Sequence, residues 1–460
     1  MSLLPRVAVG TVQREADGRA ILWALIEAFR EQSLHVQSFL SRACFAGYHG
    51  AASATGFSPR HLDSWLMSAE LCREIFIHGA QDCDLALVEG KFASAVAQQS
   101  EVGGSLDTLC QWLDLPRVAV LDVSRIESCP LPELPGQADA LLLDRVDDGC
   151  DLGPLTANLQ ARWGVPVLGA LGQLPELRSE IDAVPMGIRP PRELCQRLGS
   201  HLLRHAEPQG VLQLAARREL AQAMPQMFCC DAAVSPLAVA LAYDNVFDCY
   251  FPDTLDALES RGATIRDFSP LRDERLPPGT DVVYFGCGRP ERYAAELSQN
   301  HCMKLALRNH LRSGGRMYAE GGGLAYLCQQ IELAEGELWR MVGIFPAIAQ
   351  LTQSQAPPAP VEATLAQETW LGHRGTRLRG YDNPRWRLTP VGPLSGCLEE
   401  PDHQYDLVRS CQAIGSRLHL NFAAQPNLLS NFFQPCLLRP AAADPWAAVP
   451  SGRPKAENTH

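Results

Sequence analysis

The feature that most limits how this chain can fold is an alternation, present along two long stretches, of short β-rich apolar runs with helix-length segments of helical apolar spacing. That alternation builds a parallel sheet wrapped by crossover helices. In the first stretch, strands are predicted at Val7-Ala8-Val9, Val36-Gln37-Ser38-Phe39, Leu85-Ala86-Leu87-Val88, Val118-Ala119-Val120-Leu121, Ala140-Leu141-Leu142-Leu143 and Val167-Leu168-Gly169. Helices are predicted over Ala20 to Glu31 and Leu106 to Leu113. In the second, strands are predicted around Leu237 to Leu241, Thr264 to Arg266, Val282 to Phe285 and Arg316 to Tyr318, with helices over Pro252 to Arg261, Glu291 to Gln299 and Met303 to Ser313. The expectation is an α/β protein of two domains, residues 1–225 and 235–445. An exposed connection is expected over Ala349 to Ala366, rich in Gln, Pro and Ala, and a loose tail over 446–460.

Composition narrows the classes of function. With 460 residues, 46% apolar and 20% charged, the chain has the material for substantial cores. Its 40 basic and 52 acidic residues give a net charge of −12, which argues against a phosphate-backbone binder such as a nucleic-acid protein. No run reaches the roughly 18 apolar residues of a membrane helix, and Pro5 to Gly10 interrupts a signal-peptide reading, so a cytoplasmic location is expected. The 16 cysteines are scattered without a C-x-x-C pair, and Cys229-Cys230 are adjacent, which indicates neither a zinc ribbon nor a disulfide framework. Lysine occurs only at Lys91, Lys304 and Lys455.

Two glycine-rich turns follow predicted strands, where open α/β sheets place their ligands. The first is Gly286-Cys287-Gly288, whose backbone N–H groups suit an oxyanion. The second is Tyr318-Ala319-Glu320-Gly321-Gly322-Gly323-Leu324, a strand, sharp turn and helix in the manner of a nucleophile elbow. Gly321 occupies the turn.

These turns, with Tyr243-Asp244-Asn245-Val246-Phe247-Asp248-Cys249-Tyr250-Phe251-Pro252, Phe268-Ser269-Pro270-Leu271-Arg272-Asp273 and Gly415-Ser416-Arg417-Leu418-His419-Leu420-Asn421-Phe422, resemble the cobyrinic acid a,c-diamide synthase family in the same order over about 200 residues. The resemblance implies a P-loop-NTPase-like synthetase domain followed by a class I glutamine amidotransferase-like, flavodoxin-like domain. In that family the elbow reads Tyr-Ala-Glu-Cys-Gly-Gly-Leu and its Cys attacks the glutamine amide. Gly321 stands at that position and has no side chain to attack with, while His419 matches the base. An inactive glutaminase half is therefore expected. Replacement of the nucleophile by Cys287 or Cys328 asks the backbone to move by ångströms, so both are read as packed apolar residues.

The first half resembles the family more weakly, through Gly47-Tyr48-His49, Arg60 to Met67 and Asp84 to Gly90. A phosphate loop needs glycines, a Lys and a Ser or Thr. After the first strand come Gly10, Thr11, Val12, Gln13, Arg14, Glu15, Ala16, Asp17, Gly18 and Arg19, with no Gly-Lys-Thr element, and with Glu15 and Asp17 opposed to a triphosphate. Gly10, Thr11 and Glu89 are the remaining nucleotide-side candidates, Arg14 and Arg19 being poor replacements for a loop Lys. No cofactor is expected beyond magnesium-ATP, should the loop still bind it. The family's late His-Glu-Phe-His-Tyr-Ser run corresponds here to Tyr381-Asp382-Asn383-Pro384-Arg385-Trp386, which does not keep the polar pattern.

Weaker signals have plainer readings. His201 and His205 lie one helical turn apart without a carboxylate motif, which favours a solvent-facing helix over a metal site. Phe247, Tyr250 and Phe251 suit either a flat tetrapyrrole or a core, and Arg374, Arg377 and Arg379 suit either ligand carboxylates or a solvated surface. The reading is a protein of cobalamin or tetrapyrrole metabolism, without glutaminase or conventional ATP binding, that binds a tetrapyrrole, a second copy of itself or a catalytic relative. The alternative is a working ATP-dependent amidotransferase supplied with ammonia from solution or from a partner.

Overall fold

The computed structural model describes the chain apart from residues 1–3, 14–15, 46–49, 94–102, 125–133, 135–137, 148, 185–188, 217, 219–225, 229–235, 355 and 435–460. Arg14, Glu15, Tyr48-His49, Cys229-Cys230 and the tail therefore lie outside the described residues.

The first half is a seven-stranded parallel sheet made of β1 (Arg6–Thr11), β2 (Val36–Leu40), β3 (Arg60–His61), β4 (Leu85–Lys91), β5 (Arg117–Asp122), β6 (Ala140–Val146) and β7 (Val167–Gly172), in the order β3-β2-β4-β1-β5-β6-β7. Every residue of β1 is buried, because helices cover both faces of the sheet. One face carries the helix Arg19–Glu31, whose ten residues from Ala20 to Phe29 are all buried. The other face packs the helices Ala69–Gly79 and Leu106–Trp112, each started by a serine that accepts a backbone N–H of its first turn. Each predicted strand of this half is present.

The second half has β8 (Leu237–Ala242), β9 (Phe247–Cys249), β10 (Ala263–Phe268), β11 (Val282–Phe285), β12 (Cys287–Gly288) and β13 (Arg316–Glu320). It continues with β14 (Cys328–Glu332), β15 (Leu338–Arg340), β16 (Phe345–Leu351), β17 (Pro360–Thr364), β18 (Arg377–Asp382), β19 (Trp386–Pro390), β20 (Ser395–Gly396), β21 (Leu407–Ser410), β22 (Ala413–Ser416) and β23 (Leu418–His419). Its main sheet runs β10-β8-β11-β13-β22-β21-β20, parallel from β10 to β22 and antiparallel beyond. β9 and β12 make a small antiparallel ribbon beside it.

Two expectations are corrected. Ala349 to Ala366 is not an exposed connection: β16 and β17 occupy its two ends, and Ala349, Val361, Ala363 and Leu365 are buried in smaller sheets. Their neighbouring Gln, Glu and Thr residues alternate outward, and that two-residue period made the stretch look polar. The helix expected over Glu291 to Gln299 is a 3-10 turn at Pro290–Tyr293 followed by the helix Ala294–Gln299. Among the described residues no helix is long and apolar enough to cross a membrane.

The two halves meet through buried groups. Phe251 stacks on Phe45 at 4.4 Å between ring centroids and meets His61 edge-on at 5.0 Å. The Tyr381 hydroxyl donates to Asp63 Oδ2 at 2.6 Å and accepts the Gly104 N–H at 3.0 Å. Arg60 bonds Asp253 at 2.5 Å and Asp256 at 2.8 Å, and Asp253 is fully buried.

Candidate active site

β13 ends at Glu320, Gly321 turns the chain, and the helix Gly322–Leu327 begins at once. Gly321 has φ 53° and ψ −110°, a backbone that side-chain-bearing residues enter only under strain. The elbow is therefore built as the sequence predicts. What fills it comes from the opposite turn: a Cβ placed on Gly321 falls 2.8 Å from Cys287 Sγ and 2.8 Å from Asn383 Nδ2. The Cys287 thiol thus crowds the place a side chain at 321 would take. It donates to Glu320 Oε1 at 3.4 Å, and Asn383 Nδ2 lies 4.0 Å from it.

Gly286 and Gly288 flank this thiol, and β12 is tied to β9 by the pairs Cys287–Cys249 and Gly288–Phe247. The next amide, Arg289 N–H, donates to Val246 O at 2.8 Å. Burial, and then the facing Glu320 carboxyl, push the Cys287 thiol far above its ordinary value. Cys328 closes the elbow helix and is wholly buried, which agrees with reading it as packing.

His419 sits at the end of β23, 2% exposed. Its Nδ1 accepts the backbone N–H of Phe45, from the other half of the molecule, at 3.0 Å. A neutral imidazole that accepts at Nδ1 carries its proton on Nε2. Nε2 has no hydrogen-bond partner, and burial holds the ring down at about 3. In this arrangement the ring has no lone pair to take a proton from a nucleophile.

Glu320, which the sequence reading passed over, lies between these groups. It accepts from the Tyr318 hydroxyl at 3.1 Å and from Leu420 N–H at 3.3 Å, yet burial pushes it up to about 8. Ligating atoms of Cys287, Glu320 and His419 all lie within 4.8 Å of one another, the one grouping of three such side chains among the described residues. With its proton on Nε2, His419 offers that cluster a donor rather than a metal ligand.

The aromatic candidates do not share a surface. Phe247 is 0%, Tyr250 8% and Phe251 1% exposed, and the three belong to three different packing clusters. Tyr250 also donates to Ala242 O, so the core reading replaces the ligand reading in this conformation. Arg379 pairs with Glu362 at 2.7 Å and Arg377 with the same residue at 3.9 Å, which accounts for these exposed arginines. The segment after Gly380, which does not keep the family's polar pattern, still contributes contacts, since Tyr381 reaches Asp63 and Asn383 faces the elbow.

In the first half, Gly10 and Thr11, expected to follow the first strand, are instead its last two residues. A Cβ on Gly10 meets Leu106 Cδ2 at 2.7 Å and Phe92 at 3.0 Å, so its open side is filled by apolar packing. Thr11 is buried with its hydroxyl unpartnered. The Asp17 carboxylate accepts the Arg19 N–H at 3.0 Å at the start of the helix Arg19–Glu31, the place where a phosphate would dock. Arg19 in turn grips Asp17 at 2.7 Å and Asp182 at 2.6 Å. The described residues of this turn therefore do not fit a triphosphate. Glu89 accepts from Ser38 at 3.0 Å and is pushed up to about 7 by burial. Lys91, distant from the loop in sequence, is the register partner of Thr11 across the parallel pair of β1 and β4.

The fold and the elbow define an α/β protein whose second half is a glutamine amidotransferase-like domain, and residues 238–426 match the CobB/CobQ-like glutamine amidotransferase domain family. The cobyrinate a,c-diamide synthase of Dehalococcoides mccartyi (strain ATCC BAA-2266 / KCTC 15142 / 195) is 26% identical over 464 residues, covering 94% of this chain and 98% of its own length. The enzymes of the same name from Syntrophotalea carbinolica and Synechocystis sp. are 28% identical over 82% and 27% identical over 92% of this chain, and 85% and 92% of their own lengths are matched. Over most of its length the chain is thus similar to the cobyrinate a,c-diamide synthases, as a divergent relative.

Proposed function

We propose that this protein serves cobalamin or related tetrapyrrole metabolism without hydrolysing glutamine, as a non-catalytic member of its family that binds a tetrapyrrole or a catalytic partner. The observation that carries the reading is the elbow: Gly321 stands at the turn, and Cys287 Sγ lies 2.8 Å from where its side chain would begin. A second obstacle is the tautomer of His419, whose Nδ1 lone pair is engaged by Phe45 N–H. Asp17 at the helix N-terminus supports the further inference that triphosphate binding is lost.

The experiment is an assay of glutamate release from glutamine by the purified protein, then calorimetric titration with magnesium-ATP and afterwards with cobyrinic acid. The expected result is no glutamate, no micromolar ATP binding and saturable corrinoid uptake. Glutamine hydrolysis by the wild-type chain overturns the reading. Silence towards both ligands moves the role to a protein partner.

A second reading is favoured by one specific placement. Lys91 and Glu89 stand at the C-terminal end of β4, with Lys91 opposite Thr11, where a parallel sheet binds its ligands. This lysine supports an ammonia-using ATP-dependent amidotransferase with a rearranged phosphate site. Micromolar ATP binding that disappears in Lys91→Gln would make that reading the leading one.

A further inference from the structure

A cleft of about 720 Å³ lies between the helix His301–Arg312 and β15, on the amidotransferase-like half but apart from the elbow. Its helix wall carries His301, Lys304 and Arg308, which recur at three- and four-residue spacing and so share one helical face. β15 supplies Trp339 and Arg340 from the other wall. Among the described residues no carboxylate lines the cleft, on a chain whose net charge is −12. Glu337, which accepts the Trp339 indole N–H at 3.3 Å, is not among the lining residues.

The cationic groups are held in place rather than scattered. Lys304 is 5% exposed, and its Nζ donates to Ser298 O at 2.5 Å and to Arg340 O at 3.5 Å. Arg308 Nε donates to Val342 O at 2.7 Å. Burial first, and then the nearby charges of Arg308 and Arg340, draw the Lys304 ammonium below its ordinary value. An anion entering the cleft relieves that crowding.

We propose that this cleft binds a small molecule bearing two or more oxyanion groups, phosphate or carboxylate, gripped by Lys304, Arg308 and Arg340 with Trp339 beside its body. The volume lies in the ordinary range of small-ligand sites. Met341 and Gly343 donate their N–H groups to the carbonyls of Gln329 and Cys328, which places the cleft just beyond the far end of the elbow helix.

The test is a fluorescence titration of the full-length protein with pyrophosphate and, separately, with citrate, using Trp339→Phe to isolate the reporter's signal. Saturable binding that weakens with added salt is expected, tighter for pyrophosphate if the natural ligand is phosphorylated and for citrate if it is a polycarboxylate. Arg340→Gln, on an exposed strand residue, should weaken binding at least tenfold while the far-ultraviolet dichroism stays unchanged. His301→Gln provides a second surface variant in the same direction. No saturable response to either anion, or equal affinity in wild type and in the Arg340→Gln, His301→Gln double variant, overturns the proposal.

Discussion

At the scale of single residues, the elbow is a contest for one small volume. Gly321→Cys places a Cβ 2.8 Å from Cys287 Sγ on a backbone with φ 53°, and should destabilise the fold by about 1–3 kcal/mol. Cys287→Gly removes the obstacle, so the double variant should recover part of that loss, with a coupling energy above about 0.5 kcal/mol in urea denaturation. Strict additivity would show that the two positions do not compete. Glu320 sets a pH dependence. Its carboxyl is raised from 4.5 to about 8 by burial, so the folded state holds a proton that the unfolded state releases. Wild-type stability should therefore fall relative to that of Glu320→Gln as pH rises from about 4.5 to 8, by on the order of a few kcal/mol, because Glu89 and His419 titrate alike in both proteins and cancel from the difference. Gly321 and His419 were legible from the chain alone because they sit in recognisable runs. Cys287 as the neighbour of Gly321 was not, since 34 residues of sequence separate two groups that only the parallel packing of β11 against β13 brings together. The Phe45 contact left no trace either, because a backbone N–H carries no residue identity.

At the scale of elements, six strands of the first sheet were legible because both faces are covered and their sequences are largely apolar, whereas the two-residue β3 (Arg60–His61) carries no such run. β16 and β17 were missed because their outward positions carry Gln, Glu and Thr. Lys91 illustrates a different limit: parallel pairing sets it opposite Thr11, and no spacing along the chain announces that register. The start of the helix Arg19–Glu31 offers an element-level test. Asp17 accepts its first free N–H and is pinned by Arg19; burial pushes its carboxyl up, but the hydrogen bonds and charge of Arg19, with the charge of Arg178, together hold it below its ordinary value. Asp17→Asn should cost about 0.5–1 kcal/mol in thermal or urea unfolding through the helix end alone. A neutral or stabilising outcome would mean that the carboxylate does not serve the helix.

At the scale of the whole molecule, the two halves are joined by polar groups that cannot be left alone. Tyr381→Phe removes one donor from Asp63 and orphans the Gly104 N–H, a loss of about 1–3 kcal/mol. Arg60→Gln strips the fully buried Asp253 of its cation and should cost more, about 3 kcal/mol. Differential scanning calorimetry should show one transition in wild type and a separating second one in Arg60→Gln. Two transitions already present in wild type would show that the halves unfold independently. The stretch of chain between the halves is for that reason a poor place to cut the gene. A shortened product carrying only the second half would expose Phe251 and leave Asp253 with no counter-charge, so exchange of halves between relatives requires the matching surface to travel with them.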